Sequence, residues 1–257
     1  MTEKKESTEK KEPLAEGTLL SHLVELRRRL LIIAVSVVVV FIILLPFSRD
    51  IFSLISEPLR NVLPGNAMIA TAVASPLMTP FKLTFFTALF VAMPVVLFQI
   101  WAFIAPGLYK NEKQFAVPLF VSSVVLFYLG IAFAYFVVFP LIFTFFTSVA
   151  PEGVEVQTDI SQFLEFITTI VFAFGIAFEV PIATVLITWT GLTSPEKLGK
   201  ARPYVFLMAF VMGMFLTPPD VISQTLLAVP VYLLYELGII MSKIFVINKK
   251  KSRDEPD

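Results

Sequence analysis

Long apolar stretches without charge alternate with short charged segments along this 257-residue chain. Residues 30–47, 83–109 and 114–151 contain no Asp, Glu, Lys or Arg, and residues 166–195 contain only Glu179. Each meets the roughly 18 apolar residues that mark a membrane-spanning helix. Two further apolar runs, 203–219 and 221–235, are separated by Thr217-Pro218-Pro219-Asp220. Two prolines remove backbone donors there and the aspartate adds a charge, so this segment predicts a tight reversal between two helices. Residues 203–216 would rise only about 21 Å as a helix, less than a bilayer core of about 30 Å. The pattern therefore predicts six spans with a short fifth helix.

The basic residues orient these spans. Seventeen of the twenty Lys and Arg fall in the N-terminal segment through Arg29, the second-to-third connection, the fourth-to-fifth connection and the C-terminal end. Only Arg49, Arg60 and Lys82 fall on the other side. The excess of positive charge marks the cytoplasmic face, so both termini are expected there. Residues 1–17 read as a flexible polar tail and 247–257 as a second one, flanking a membrane domain at 18–246. The first segment has no apolar core and is not expected to be a signal peptide.

Composition narrows the function classes. Hydrophobic residues make up 57% and charged residues 16%, against roughly 45–50% and about 25% in soluble chains. The formal net charge is zero, which argues against nucleic-acid binding through bulk basic charge. No cysteine is present and His22 is the single histidine, which disfavours thiol chemistry and His-based metal or catalytic sites. No cofactor is expected. Neither a phosphate-cradling glycine loop nor a serine elbow appears, so an enzyme is not expected.

The outer connection at 48–80 is too long for a simple turn and is expected to hold short helices at the membrane surface. Glu179 lies within a span, where an ionisable side chain is a functional candidate, against the alternative of a structural, hydrogen-bonded acid. Pro181 predicts a kink beside it. Asp220 suits the N-cap of the sixth helix, and Thr217, Asp220 and Gln224 form a small polar group able to join helices. Glu25 is spaced to pair with Arg28 or Arg29 along one helix face. From the residues alone, that pairing and a solvated loop charge are the plainer readings of Glu25 and Glu112. Trp101, Phe103 and Tyr109 read as an aromatic belt at the membrane interface.

The segment Ser21-His22-Leu23-Val24-Glu25-Leu26-Arg27-Arg28-Arg29 resembles the amino-terminal signature of the TatC family, polytopic receptors of the twin-arginine protein translocase. The likeness continues through Ser56-Glu57-Pro58-Leu59, Trp101-Ala102-Phe103-Ile104-Ala105-Pro106-Gly107-Leu108-Tyr109, Ala134-Tyr135-Phe136, Phe178-Glu179-Val180-Pro181, Arg202-Pro203-Tyr204 and Leu216-Thr217-Pro218-Pro219-Asp220, and covers about residues 18–245. It implies an all-α, concave bundle of six spans with short fifth and sixth helices, working with the single-span proteins TatA and TatB under the proton-motive force. It further implies that Glu25 and Glu112 receive the paired arginines of a signal peptide, with Arg27 and Phe103 in the same site. Glu179 matches the family's intramembrane acid. Met214, Thr217 and Gln224 match a surface where partner helices dock, and Pro58 and Asp220 match structural signature positions. A proton-coupled small-solute transporter using Glu179, and a pure membrane scaffold, are the alternatives.

Overall fold

The computed structural model describes residues 16–61, 68–104, 113–149, 157–216 and 221–254. The expected sites Glu112, Thr217 and Asp220, with the reversal around them, lie outside these residues, as does Tyr109. Among the described residues the fold is helical, with a lone parallel bridge between Ile69 and Asp159. This follows from the solvent: hydrocarbon offers no partner to a backbone amide, so a spanning segment satisfies itself as a helix.

Helix α1 (Glu16–Leu44) makes the first pass and continues through a short tight turn into α2 (Ser48–Arg60), the helix expected in the first outer connection. The second pass is α3 (Ser75–Val91) followed by α4 (Met93–Ile104), bent by 46° at Ala92. The third is α5 (Lys113–Phe133), a π-helical turn at Ala134–Val138, and α6 (Phe139–Ser148). The fourth is α7 (Ile160–Ala177) and α8 (Val180–Trp189), broken at Phe178 and Glu179 where Pro181 cannot donate to the Ala177 carbonyl. Helices α9 (Pro195–Leu216) and α10 (Val221–Asp254) complete six passes.

The apolar part of α9, Arg202–Leu216, is short, as expected. The sixth helix is not: its apolar segment Val221–Phe245 covers 25 residues, enough to cross a membrane. The apolar run reads as ending before Glu236, but that charge is neutralised in place. Arg202 donates to both Glu236 oxygens, at 2.7 and 2.8 Å, and the Tyr232 hydroxyl adds a third bond at 3.0 Å. The helix therefore continues past it.

The main core lies where the third and fourth passes meet. Phe139, Ile142, Phe143, Phe163, Ile167, Ile170 and Phe174 are all buried there. Between apolar helices in lipid, association depends on close packing rather than on water exclusion. Gly130 allows a close approach, since a Cβ there would sit 2.6 Å from the Phe174 carbonyl oxygen. Gly238 serves α10 and α8 similarly, with Pro181 Cα only 3.0 Å from where its Cβ would lie.

Prolines interrupt several passes, and two of the carbonyls they release are taken up by tyrosines of the third. Pro58 has no N–H for the Leu54 carbonyl one turn earlier, and the Tyr135 hydroxyl donates to that oxygen at 2.8 Å. Pro94 likewise leaves the Phe90 carbonyl without its helical donor, and the Tyr128 hydroxyl lies 3.2 Å from it and 3.3 Å from the Val91 oxygen. Pro58 thus acts structurally, in keeping with the role implied for it by sequence.

At the outer end, Asp159 fastens two connections together. Its Oδ1 caps α7 by accepting the Ser161 and Gln162 amides at 2.8 and 3.2 Å. Its Oδ2 accepts the Thr71 amide and hydroxyl at 2.8 and 2.7 Å. These bonds, the Thr71 hydroxyl foremost, lower its pKa from 3.8 to about 2, so it stays ionised at any physiological pH.

The proline–tyrosine pairing makes a prediction. Tyr135→Phe should cost about 1 kcal/mol of stability to unfolding in detergent. In a Pro58→Ala background, where residue 58 regains an N–H for Leu54, the same change should cost clearly less. Equal costs in the two backgrounds would show that the hydroxyl and the proline are not coupled.

Candidate functional site

Glu25 and Arg29 lie one turn apart on α1, on the basic side of the membrane. The Arg29 guanidinium donates through Nε to Glu25 Oε1 at 3.1 Å, and Nη2 contacts the same oxygen. Nη1 reaches Gln99 Oε1 at 3.1 Å, and Nη2 the Ala102 carbonyl at 3.0 Å. One planar fork therefore joins the first pass to the inner end of the second. The Ala102 carbonyl is available because it lies in the last turn of α4, whose carbonyls have no intrahelical donor.

The expected Glu25–Arg29 pair is therefore present, and it leads further than sequence spacing could. Gln99 is 8% exposed and was not foreseen as a site residue. Its signal was a lone amide in an otherwise apolar, uncharged run. The Glu25 side chain keeps 39% of its accessible surface, against 19% for Arg29. The carboxylate thus stands open at the edge while its partner is pinned behind it.

Phe103 is 38% exposed beside this network, just beyond Ala102. Arg27 is exposed and lies on another face of α1, since residues two apart on a helix do not share one. The reading of Trp101 as an interface aromatic is corrected. It is 7% exposed and packs with Leu119, Ile182 and Val185, because the bend at Ala92 turns this face of α4 into the bundle. Trp101 therefore anchors the stretch that carries Ala102 and Phe103.

Glu179 sits at the break between α7 and α8. The Ser123 hydroxyl of α5 donates to its Oε2, while Oε1 is buried without a hydrogen-bond partner. A buried oxygen left unpaired costs about 1–3 kcal/mol. Ser123 was likewise missed by sequence reading, since 56 residues separate it from the acid.

Met214 is 50% exposed on α9. Gln224 is turned inward: its Nε2 donates to the Phe210 carbonyl at 2.6 Å, and its Cγ fills the space that a Cβ on Gly213 would need. Its amide therefore ties α9 to α10. Among the described residues no group of three or more His, Cys, Asp or Glu is placed to hold a metal ion.

Comparison with known proteins gives one consistent family. The family model described as Sec-independent protein translocase protein (TatC) matches residues 21–230. The Sec-independent protein translocase protein TatC of Escherichia coli strain K12 is 56% identical over 238 residues, covering 92% of each chain. The protein of the same name from Haemophilus influenzae is 53% identical, over 88% of this chain and 89% of its own. Among solved structures, the crystal structure of the twin arginine translocase receptor TatC aligns with a TM-score of 0.78 and 35% identity, covering 87% of this chain and 98% of that one.

The Arg29 network predicts coupled effects. Arg29→Lys keeps the charge but loses the fork, and should lower stability in detergent by about 1–3 kcal/mol. Gln99→Leu should then add little on top, because its acceptor has already lost its donor. Full additivity, measured by unfolding of both single variants and the double one, would show that the two residues do not share a network.

Proposed function

The chain belongs to the TatC family of Sec-independent protein translocase proteins, and on that footing we propose that it is the receptor core of a twin-arginine translocase, a transport subunit rather than an enzyme. It is a membrane protein. Its expected setting is the bacterial inner membrane with both termini cytoplasmic, where it assembles with TatA and TatB and moves folded proteins under the proton-motive force.

The observation that carries this reading is the posture of Glu25. Among the described residues, Arg29 engages Oε1, and the carboxylate remains partly exposed beside Phe103. An incoming guanidinium finds Oε2 already oriented, with an aromatic face next to it for the rest of its plane. Glu112 supplies the second carboxylate, from the connection that follows α4. Two carboxylates suit two consecutive arginines, and lysines cannot match that fork geometry. Once the arginines are held, the apolar part of the signal slides along the bundle into the membrane. Glu179, with one oxygen buried and unpaired, is the polar station on that route.

Partner helices dock along α9 and α10. Exposed Met214 offers a soft apolar contact, and Gln224 and Thr217 complete the surface that the family resemblance assigns to docking. The comparisons favour this reading over a proton-coupled solute transporter.

The test uses photo-crosslinkers placed in turn at residues 20–30 and 100–115. A twin-arginine signal peptide should crosslink at both stretches. Glu25→Ala combined with Glu112→Ala should reduce the yield about tenfold or more, the loss expected from removing two charge-assisted pairs. Unchanged crosslinking in that double variant would defeat the recognition model.

A further inference from the structure

A cavity of about 730 Å³ opens at the end of the bundle away from Glu25, between α3, α7 and the outer part of α1. Three features set it apart from an ordinary gap between apolar helices.

The first is its wall. Phe41, Phe81 and Phe85 line one side, with Phe41 edge-on to both others at ring-centroid distances of 5.1 and 5.8 Å. The second is its charge. Lys82 of α3 and Glu165 of α7 both line the cavity, yet the described ion pairs are Glu25–Arg29 and Arg202–Glu236. The opposite charges at the cavity therefore do not neutralise each other by direct contact. The third is Thr168. It lines the same cavity, is only 9% exposed, and its hydroxyl oxygen has no hydrogen-bond partner. A threonine hydroxyl inside a transmembrane helix commonly bonds back to its own backbone, as Thr84, Thr87 and Thr169 do here. Thr168 has no such bond.

Depth identifies the occupant. Lys82 lies seven residues into α3 and Glu165 five into α7, so both sit within about 10 Å of the outer helix ends. The helix ends are fixed together there, with the Ser75 and Ser161 hydroxyls bonded at 2.8 Å and Asp159 joined to Thr71. That level is where a lipid presents its headgroup, with its acyl chain running inward along the aromatic wall. A partner helix crossing at this depth would not match one cation and one anion held apart. A headgroup that carries both charges does.

We infer that this cavity is a binding site for one outer-leaflet phospholipid whose headgroup joins a phosphate to a primary ammonium. Lys82 takes the phosphate, Glu165 takes the ammonium, and the Thr168 hydroxyl donates to a phosphate or ester oxygen. The two charge-assisted contacts set the headgroup preference, while Phe41, Phe81 and Phe85 hold the start of a chain.

The experiment is native mass spectrometry of the full chain in detergent. It is titrated with phosphatidylethanolamine, phosphatidylcholine and phosphatidylglycerol of identical acyl chains. Phosphatidylethanolamine should bind about fivefold more tightly than either of the others, because only it offers N–H donors to Glu165. Glu165→Gln should abolish that preference and leave phosphatidylglycerol binding unchanged, which also shows that the variant is folded. Lys82→Gln should weaken all three lipids, and Thr168→Val should weaken phosphatidylethanolamine. Equal binding of the three lipids to the unaltered chain would overturn the assignment. So would a preference that survives both charge removals, or displacement of the lipid by a single-span helix that crosslinks at Phe85.

Discussion

A backbone carbonyl that loses its helical N–H inside a bilayer must find another donor, and this chain is organised around that requirement. Its prolines and the end of one helix create the need at chosen places. Pro58 releases Leu54 and Pro94 leaves Phe90, while the end of α4 at Ile104 leaves Ala102 without a helical donor. Each freed oxygen is met by a side chain from a different pass: Tyr135, Tyr128 and Arg29 respectively. What would be defects in isolated helices become the polar contacts that fix one pass against the next. In lipid, where apolar faces have little preference among neighbours, such contacts give the bundle its specific arrangement.

The third of these contacts also shapes the proposed recognition site. Arg29 satisfies the Ala102 carbonyl and, with the same planar group, holds Glu25 and Gln99. The carboxylate proposed to meet the signal is thus placed by the group that also bonds the end of the second pass. The opposite face is built by similar means, with Asp159 capping α7 and grasping Thr71. Between the two faces, Glu179 keeps one oxygen on Ser123 and one unpaired. Among the described residues, Glu179 Oε1 and Thr168 Oγ1 are buried without a partner, and both lie where binding is proposed.

Much of this was legible in the chain. Apolar run lengths gave the passes, and Pro181 marked the broken fourth pass. The spacing of Glu25 and Arg29 foretold their pair. Other features were hidden because they depend on distant residues. Tyr135 lies 81 positions from Leu54, and Gln99 lies 70 from Arg29. Trp101 looked like an interface aromatic until the bend at Ala92 turned it inward. The sixth helix was expected to be short from the family resemblance, but its apolar segment runs past Glu236, whose charge is paired with Arg202. Family resemblance, rather than spacing, singled out Glu25 and Glu112 from the other charges on the basic face.

The central claim is that the Glu25 carboxylate reads the fork of a signal arginine. The most direct measurement is the affinity of signal peptides carrying Arg-Arg or Lys-Lys for the full chain in lipid, in its natural form and as Glu25→Gln. The natural form should prefer Arg-Arg by about tenfold or more, and Glu25→Gln should lose most of that preference. An Arg-Arg preference of the same size in both forms would contradict the account.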